Sequence, residues 1–305
     1  MKSNKLNTPN IIIAGVTKSA TTSLFSYLSD HPKICGSSIK EISHFITIRF
    51  NEPDRPIENY SNYYKHCSGE PYRIEASPAY FLGGKKLAEK IYKTLPGVRV
   101  ILMLRDPASR FLSYYKFNKN ILAIPKDMKL CEYYNKCKNM SYESFKQRGT
   151  HIYYALASGE YSNYLNGWID TFGENLYICF FEDLTNDTYE FTKHVCDWLE
   201  IDKNFYNQYD FVIENMGRNY KNRILQKWAL KINKNFEEFF RSHKQVKRLL
   251  RQIYFGINGE RGSGAFEEVD IETISEIRKH YSLYNADLRK VLLNAGVNRL
   301  PSWLC

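Results

Sequence analysis

The chain has 305 residues, 43% of them apolar, and a formal net charge of +10. That length supports a sizeable core and reads as one large domain, 1–305, with insertions rather than two domains. No apolar run reaches the roughly eighteen residues needed to span a bilayer, and no signal peptide precedes the first strand, so the expectation is a cytoplasmic protein, or a trimmed chain, without a membrane span.

In chain order, the first informative stretch is Ile11-Ile-Ile-Ala-Gly-Val-Thr-Lys-Ser-Ala-Thr-Thr22. Its apolar start predicts a buried strand near 10–15. Gly15 leads into a polar turn, and a helix near 19–29 follows with Leu24, Phe25 and Leu28 on its inner face. A strand, a turn and a helix N-terminus present backbone N–H groups at the positive end of the helix dipole. Lys18 adds a charge, and Ser19, Thr21 and Thr22 add hydroxyls, a set suited to phosphate or sulfate. The spacing excludes a Walker A loop, which requires glycine directly before the lysine, where this chain has Thr17. Read alone, the stretch also fits an ordinary βα turn with a solvated lysine.

A strand near 72–75 and a helix near 83–94 precede a second apolar run, 98–105, of the kind expected of a strand covered on both faces. It ends in Arg105-Asp106-Pro107, and the proline opens a helix near 107–119 that carries Ser113. Helices near 154–171 and 186–199 flank a last strand near 175–181, and Tyr161, Leu165, Trp168 and Phe172 read as core packing. The alternation predicts an α/β fold with a mostly parallel central sheet flanked by helices. Ligands of such sheets bind outside the carboxyl ends of the strands, where Lys18, Arg105 and Ser113 would converge on a doubly anionic ligand. Segments 46–71 and 120–150 have no clear period and are candidate acceptor-binding walls.

These segments resemble the sulfotransferases that use 3′-phosphoadenosine 5′-phosphosulfate (PAPS). Among them the chain looks most like the carbohydrate branch that includes the heparan sulfate N- and O-sulfotransferases and their bacterial relatives. Gly15-Val-Thr17-Lys18-Ser19-Ala20-Thr21-Thr22 resembles that family's 5′-phosphosulfate loop. Arg105 and Ser113, eight residues apart, resemble its 3′-phosphate-binding motif. Lys40-Glu41-Ile-Ser-His-Phe45, Glu75-Ala-Ser-Pro-Ala-Tyr-Phe81, Gly159-Glu-Tyr161 and the stretch from Ile277 to Leu288 fit in the same order, so the likeness covers nearly the whole chain.

The resemblance implies a P-loop-like nucleotide-binding fold and PAPS as co-substrate, released as 3′,5′-ADP, with no metal. It implies an acceptor that is a glycan or another hydroxyl- or amine-bearing molecule. Glu41 would be the general base, and Lys18 would stabilise the leaving 5′-phosphate oxygen. The donor would be held by Gly15, Thr17, Lys18, Ser19, Ala20, Thr21 and Thr22 together with Arg105 and Ser113. Arg218, in Asn215-Met-Gly217-Arg218, would close over the nucleotide. A partly buried carboxylate is the better base, and Ile42, Phe45 and Ile46 supply apolar surroundings; without the resemblance, Glu41 reads as a partner of Lys40. Where glycan 3-O-sulfotransferases carry a histidine two residues after the base, this chain has Ser43, and His44 stands where they have an aromatic ring. That departure leaves the acceptor type open.

The charge is concentrated. Residues 216–262 hold twelve Lys/Arg against three Glu. Arg223–Tyr254 reads largely as helix, with Leu225, Trp228, Ile232, Phe236, Phe239 and Phe240 at intervals of three and four and the basic residues on the other face. Such a face steers polyanions or is simply solvated. Of seven cysteines, Cys179 and Cys196 read as buried packing residues, and Cys131 and Cys137 can bridge in an oxidising compartment. Two further readings stay open. One is sulfation of a lipid, a small alcohol or a protein tyrosine. The other is a polyanion-binding protein with a decayed nucleotide site, against which the intact Lys18, Glu41, Arg105 and Ser113 count. Nucleic acid is the disfavoured partner.

Overall fold

The computed structural model describes residues 7–147, 149–212, 220–259 and 270–305. Five strands form a parallel sheet: β1 (Ile11–Gly15), β2 (Ile34–Gly36), β3 (Tyr72–Ala76), β4 (Arg99–Leu104) and β5 (Leu176–Phe180), in the spatial order β2-β3-β1-β4-β5. Burial on both faces explains the continuous apolar runs. Ile11 and Ile13 of β1, with Ile101 and Met103 of β4, enter one core, while Ile12, Ala14, Val100 and Leu102 enter the other. From β1 the chain crosses to β2, returns to β3 and only then reaches β4 on the opposite side. The strand order therefore reverses beside β1, and the carboxyl ends of β1 and β4 border that switch point.

The helices in chain order are α1 (Thr21–Ser29), α2 (Ile57–Ser61), α3 (Gly84–Thr94), α4 (Pro107–Asn120), α5 (Leu130–Lys138), α6 (Tyr142–Phe145) and α7 (Ser162–Phe172). They continue as α8 (Phe181–Asn186), α9 (Thr188–Leu199), α10 (Arg223–Asn235), α11 (Glu237–Ser242), α12 (Lys244–Asn258) and α13 (Ile271–Asn294). The chain divides into two compact units. The first, Met1–Arg110, Glu160–Asn215 and Tyr281–Cys305, contains the sheet. One of its faces is covered by α1 and α9 through Leu24, Leu28, Phe191 and Val195. The other is covered by α3 and α7 through Leu87, Ile91, Leu165 and Trp168.

The second unit, Phe111–Gly159 and Met216–His280, is helical in its described elements. Tyrosines fill its interior: the Tyr115 hydroxyl donates to Met128 O at 2.5 Å, the Tyr133 hydroxyl to Ile152 O at 2.5 Å, and the Phe111 ring packs against Tyr133.

Several local expectations are corrected. β2 is a three-residue strand with no signal in the periodicity. The helix expected over 154–171 begins at Ser162, because Ala157–Gly159 form a tight 3-10 turn that buries Ser158 and Gly159. The long basic helix is three helices, interrupted at Phe236 and His243, and of its six apolar positions only Phe240 is buried. Cys131 and Cys137 are not joined in a disulfide, since a separation of six on α5 turns them to different faces; the disulfide links Cys35 and Cys67 instead. Cys179 and Cys196 are buried, as expected.

Candidate active site

The turn after β1 is shaped by one close approach and two strained residues. A Cβ on Gly15 would stand 2.7 Å from Phe81 Cβ, so no other residue fits there without displacing its neighbour. The Val16 N–H donates to Met103 O at 2.9 Å and ties the turn to β4. Lys18 and Ala20 take positive φ, 74° and 55°, a conformation that costs on the order of 1–3 kcal/mol at a residue other than glycine. Alternation of this kind turns successive N–H groups inward and makes a concavity for anions. α1 opens directly after it with Ala20 at the N-cap and no capping side chain, so the positive end of the helix dipole falls on the same turn. Thr21 is buried and Thr17 and Thr22 are half-buried in this turn. Ser19 is fully buried, and its Oγ has no hydrogen-bond partner among the described residues.

Arg105 follows β4 immediately. Its Nη1 donates to Lys18 O at 2.8 Å, its guanidinium lies 4.1 Å from the Phe181 ring centroid, and the Tyr161 hydroxyl donates to Arg105 O at 3.0 Å. Tyr161 thus props the arginine backbone besides packing in the core. Arg105 Nε is buried and without a partner among the described residues. Burial pushes the Arg105 pKa down, opposed by the nearby Glu182 carboxylate. Burial also lowers the Lys18 pKa to about 8, helped by the charges of Arg105 and Lys40 and opposed by Glu41. Lys18 and Arg105 therefore share a setting that penalises their charge, which is the electrostatic complement of a polyvalent anion.

Glu41 lies on the neighbouring edge. Its carboxylate is 2.8 Å from Lys40 Nζ, and it is the exposed member of that pair, at 59% against 12% for Lys40. The expected partial burial of Glu41 is not found: Ile42, Phe45 and Ile46 enter the core instead. The cause is backbone geometry, since Glu41 and Ser43 both adopt the left-handed region, with φ of 61° and 53°. Three hydrogen bonds from the end of β3 hold that shape. The N–H groups of Glu41, Ser43 and Phe45 donate to Ala76 O (3.0 Å), Ser77 Oγ (3.0 Å) and Tyr80 Oη (3.2 Å).

Behind this loop sits Glu75, whose importance the sequence reading missed. It is fully buried and accepts a hydrogen bond of 2.5 Å from the Tyr60 hydroxyl. Burial raises its pKa to about 7, while hydrogen bonding from Tyr60, Ser77 and Tyr80 pulls the other way. The available signal was a carboxylate at the end of the apolar strand Tyr72–Ala76, just before Ser77-Pro78. His44 stacks on Tyr60 with centroids 4.4 Å apart and planes 5° apart, and burial lowers its pKa to about 4. It is a neutral packing ring, not a second base.

The first unit thus brings together Lys18, Ser19, Arg105 and Glu41 and adds Lys40. Ser113 lies half-buried on α4 and belongs to the second unit. Arg218 and Gly217 lie outside the described residues. Among the described residues, metal-ligating atoms gather at Cys35, His66 and Cys67, where the two sulfurs are already joined.

A parallel α/β sheet with a cationic, glycine-led turn at its switch point is an arrangement suited to a phosphorylated or sulfated ligand. Residues 8–248 match the model of the sulfotransferase domain family, and the chain belongs to that family. It is 37% identical over 113 residues to the membrane-associated sulfotransferase kil1 of Dictyostelium discoideum, a match covering 36% of this chain and 23% of kil1. It is 30% identical over 179 residues to heparan sulfate glucosamine 3-O-sulfotransferase 5 of Homo sapiens and Mus musculus, covering 54% of this chain and 45% of theirs. The chain therefore spans less than half the length of these curated relatives. A sulfotransferase structure from Alicyclobacillus acidocaldarius aligns with a TM-score of 0.58 at 21% identity, over 76% of this chain and 94% of that one, a likeness of fold.

The Glu75 pKa of about 7 lies above the 4.5 of an ordinary glutamate. Folding therefore holds this proton more tightly than the unfolded chain does, and the group's contribution to stability falls as pH rises through that window. Urea unfolding of the protein and of Glu75→Gln between about pH 5 and pH 8 should show the parent losing stability relative to the variant with rising pH. A constant difference would contradict the burial of a titrating carboxylate.

Proposed function

We propose that this chain transfers a sulfuryl group from PAPS to a hydroxyl or amine of a carbohydrate acceptor, by in-line displacement with Glu41 as general base. The observation that carries this reading is the Lys18–Arg105 pair at the carboxyl ends of adjacent strands, with Arg105 bonded to the Lys18 carbonyl. The residues fit a nucleotide charged at two positions. Ser19 Oγ and Arg105 Nε are buried donors with no partner among the described residues. The 15–22 turn would hold the 5′-phosphosulfate and Arg105 the 3′-phosphate, with Ser113 and Arg218 as further proposed contacts. PAPS supplies the sulfuryl group and, once that group has left, a phosphate leaving group.

The chain's own residues do the rest. Glu41 takes the acceptor proton as the acceptor oxygen or nitrogen bonds to sulfur and the bond from sulfur to the phosphate oxygen breaks. Exposure lets Glu41 meet an acceptor arriving from solvent, and Lys40 keeps its carboxylate in place. Lys18 faces the charge that gathers on the departing oxygen, and the desolvated setting of that lysine strengthens the interaction. The carbohydrate acceptor is supported by the likeness to heparan sulfate 3-O-sulfotransferases. The Cys35–Cys67 disulfide favours an oxidising compartment over the cytoplasmic location expected from the sequence. No helix among the described residues is long and apolar enough to cross a membrane.

Calorimetric titration tests the donor site. 3′,5′-ADP should bind in the micromolar range while ATP and 5′-AMP bind weakly, and Arg105→Ala should abolish the preference. Equal binding of all three nucleotides would overturn the assignment. Glu41→Gln should retain 3′,5′-ADP affinity and lose about 100-fold or more in turnover, measured on a glycan acceptor found by screening. Full turnover in that variant would remove Glu41 as the base.

A further inference from the structure

The helices of the second unit carry an apolar face that their own packing does not use. Of sixteen large apolar side chains strongly exposed among the described residues, eleven fall within residues 224–257. Ile224, Trp228 and Ile232 recur every four residues on α10, and Leu249, Ile253 and Ile257 do so on α12, so each helix presents one outward stripe. The anchoring contacts use other faces. Gln226 Nε2 donates to Asn120 O at 2.6 Å, and Gln226 Oε1 accepts from the Tyr254 hydroxyl. The Asn222 N–H donates to Asn258 Oδ1 at 2.7 Å, and Asn258 Nδ2 donates to Asn222 O at 3.1 Å. The ends of the two helices are thus tied together while Trp228 stays 58% exposed. An exposed apolar surface on this scale marks an interaction site.

Charge identifies the occupant. Residues 223–258 contain nine Lys/Arg against two Glu, and Lys227, Lys231 and Lys234 run beside the α10 stripe. A soluble polyanion would satisfy the cations but leave the apolar stripes wet. A second copy of the chain would cover the stripes but bring two strongly basic faces together. An anionic lipid leaflet meets both demands: apolar side chains enter the acyl boundary, lysines reach the headgroups along their flexible stems, and an indole sits at the interface. We propose that α10, α11 and α12 form a peripheral docking surface for anionic membranes. The proposal rests on helices of the second unit alone, so its test does not depend on the proposed reaction.

The test is co-sedimentation of the full chain with vesicles of phosphatidylcholine alone and of phosphatidylcholine mixed equally with phosphatidylserine. Binding should be about tenfold or more stronger to the anionic vesicles and should weaken with added salt. Trp228 fluorescence should shift to the blue on binding. The double variant Trp228→Glu/Leu249→Glu should lose vesicle binding while keeping its circular dichroism spectrum and 3′,5′-ADP affinity. No binding by the parent chain, or equal binding to both vesicle types, would overturn the proposal. So would sedimentation velocity showing a dimer that the double variant breaks, without vesicle binding, since that would assign the face to a second copy.

Discussion

The constraint on which the site rests is the gathering of Lys18 and Arg105 at one edge of a parallel sheet, where burial penalises the charge of both and Lys40 adds to the repulsion at Lys18. Lowering the Lys18 pKa from 10.5 to about 8 corresponds to roughly 3 kcal/mol of disfavoured charge. Arg105 and Lys40 add to that cost, while Glu41 at Lys18 and Glu182 at Arg105 offset part of it. Arg105 donates to a neutral carbonyl and lies over Phe181, contacts worth about 1–2 kcal/mol each. The arrangement survives because packing fixes it. β1 and β4 are neighbours, the turn is pinned to Met103, and a glycine is required against Phe81. An anion with charge at two positions, as in the proposed donor, would relieve this repulsion.

A second piece of stored strain sits on the β2–β3 side. The loop from Glu41 to Phe45 holds two residues in the left-handed region, and its shape comes from hydrogen bonds to Ala76, Ser77 and Tyr80. Glu75 underpins those partners from within the core, joined to Tyr60, on which His44 stacks. The carboxylate that meets solvent is thus positioned by one that never does. The proposed donor site and the proposed base lie at different strand ends of the same sheet, β1 and β4 for the first and β3 for the second.

Much of this was legible because it is written in local chemistry. The runs Ile11–Ala14 and Val98–Leu104 could only be strands covered on both faces, and glycine in one case and Arg-Asp-Pro in the other mark where each ends. The sulfotransferase likeness rested on those same strand ends, and the family match covers them. What escaped was set by neighbours distant in sequence. β2 is three residues long and exists through its pairing with β3. Apolar residues follow Glu41 closely, yet a left-handed backbone sends them inward and leaves the carboxylate in solvent. The spacing of Leu225, Trp228 and Ile232 announced an amphipathic helix correctly but could not say that its apolar side faces out. The Cys35–Cys67 pair depends on a return of the chain to the sheet edge that no spacing reveals.

The most direct test of the account is the titration of Lys18 itself, followed by NMR of the side-chain Cε and Nζ resonances in the presence and absence of 3′,5′-ADP. The midpoint should lie near 8 in the free protein, rise on binding 3′,5′-ADP, and rise in the free Arg105→Ala variant as one repelling charge is removed. A midpoint at the ordinary lysine value, unmoved by either change, would contradict the claim that a desolvated cation pair builds this site.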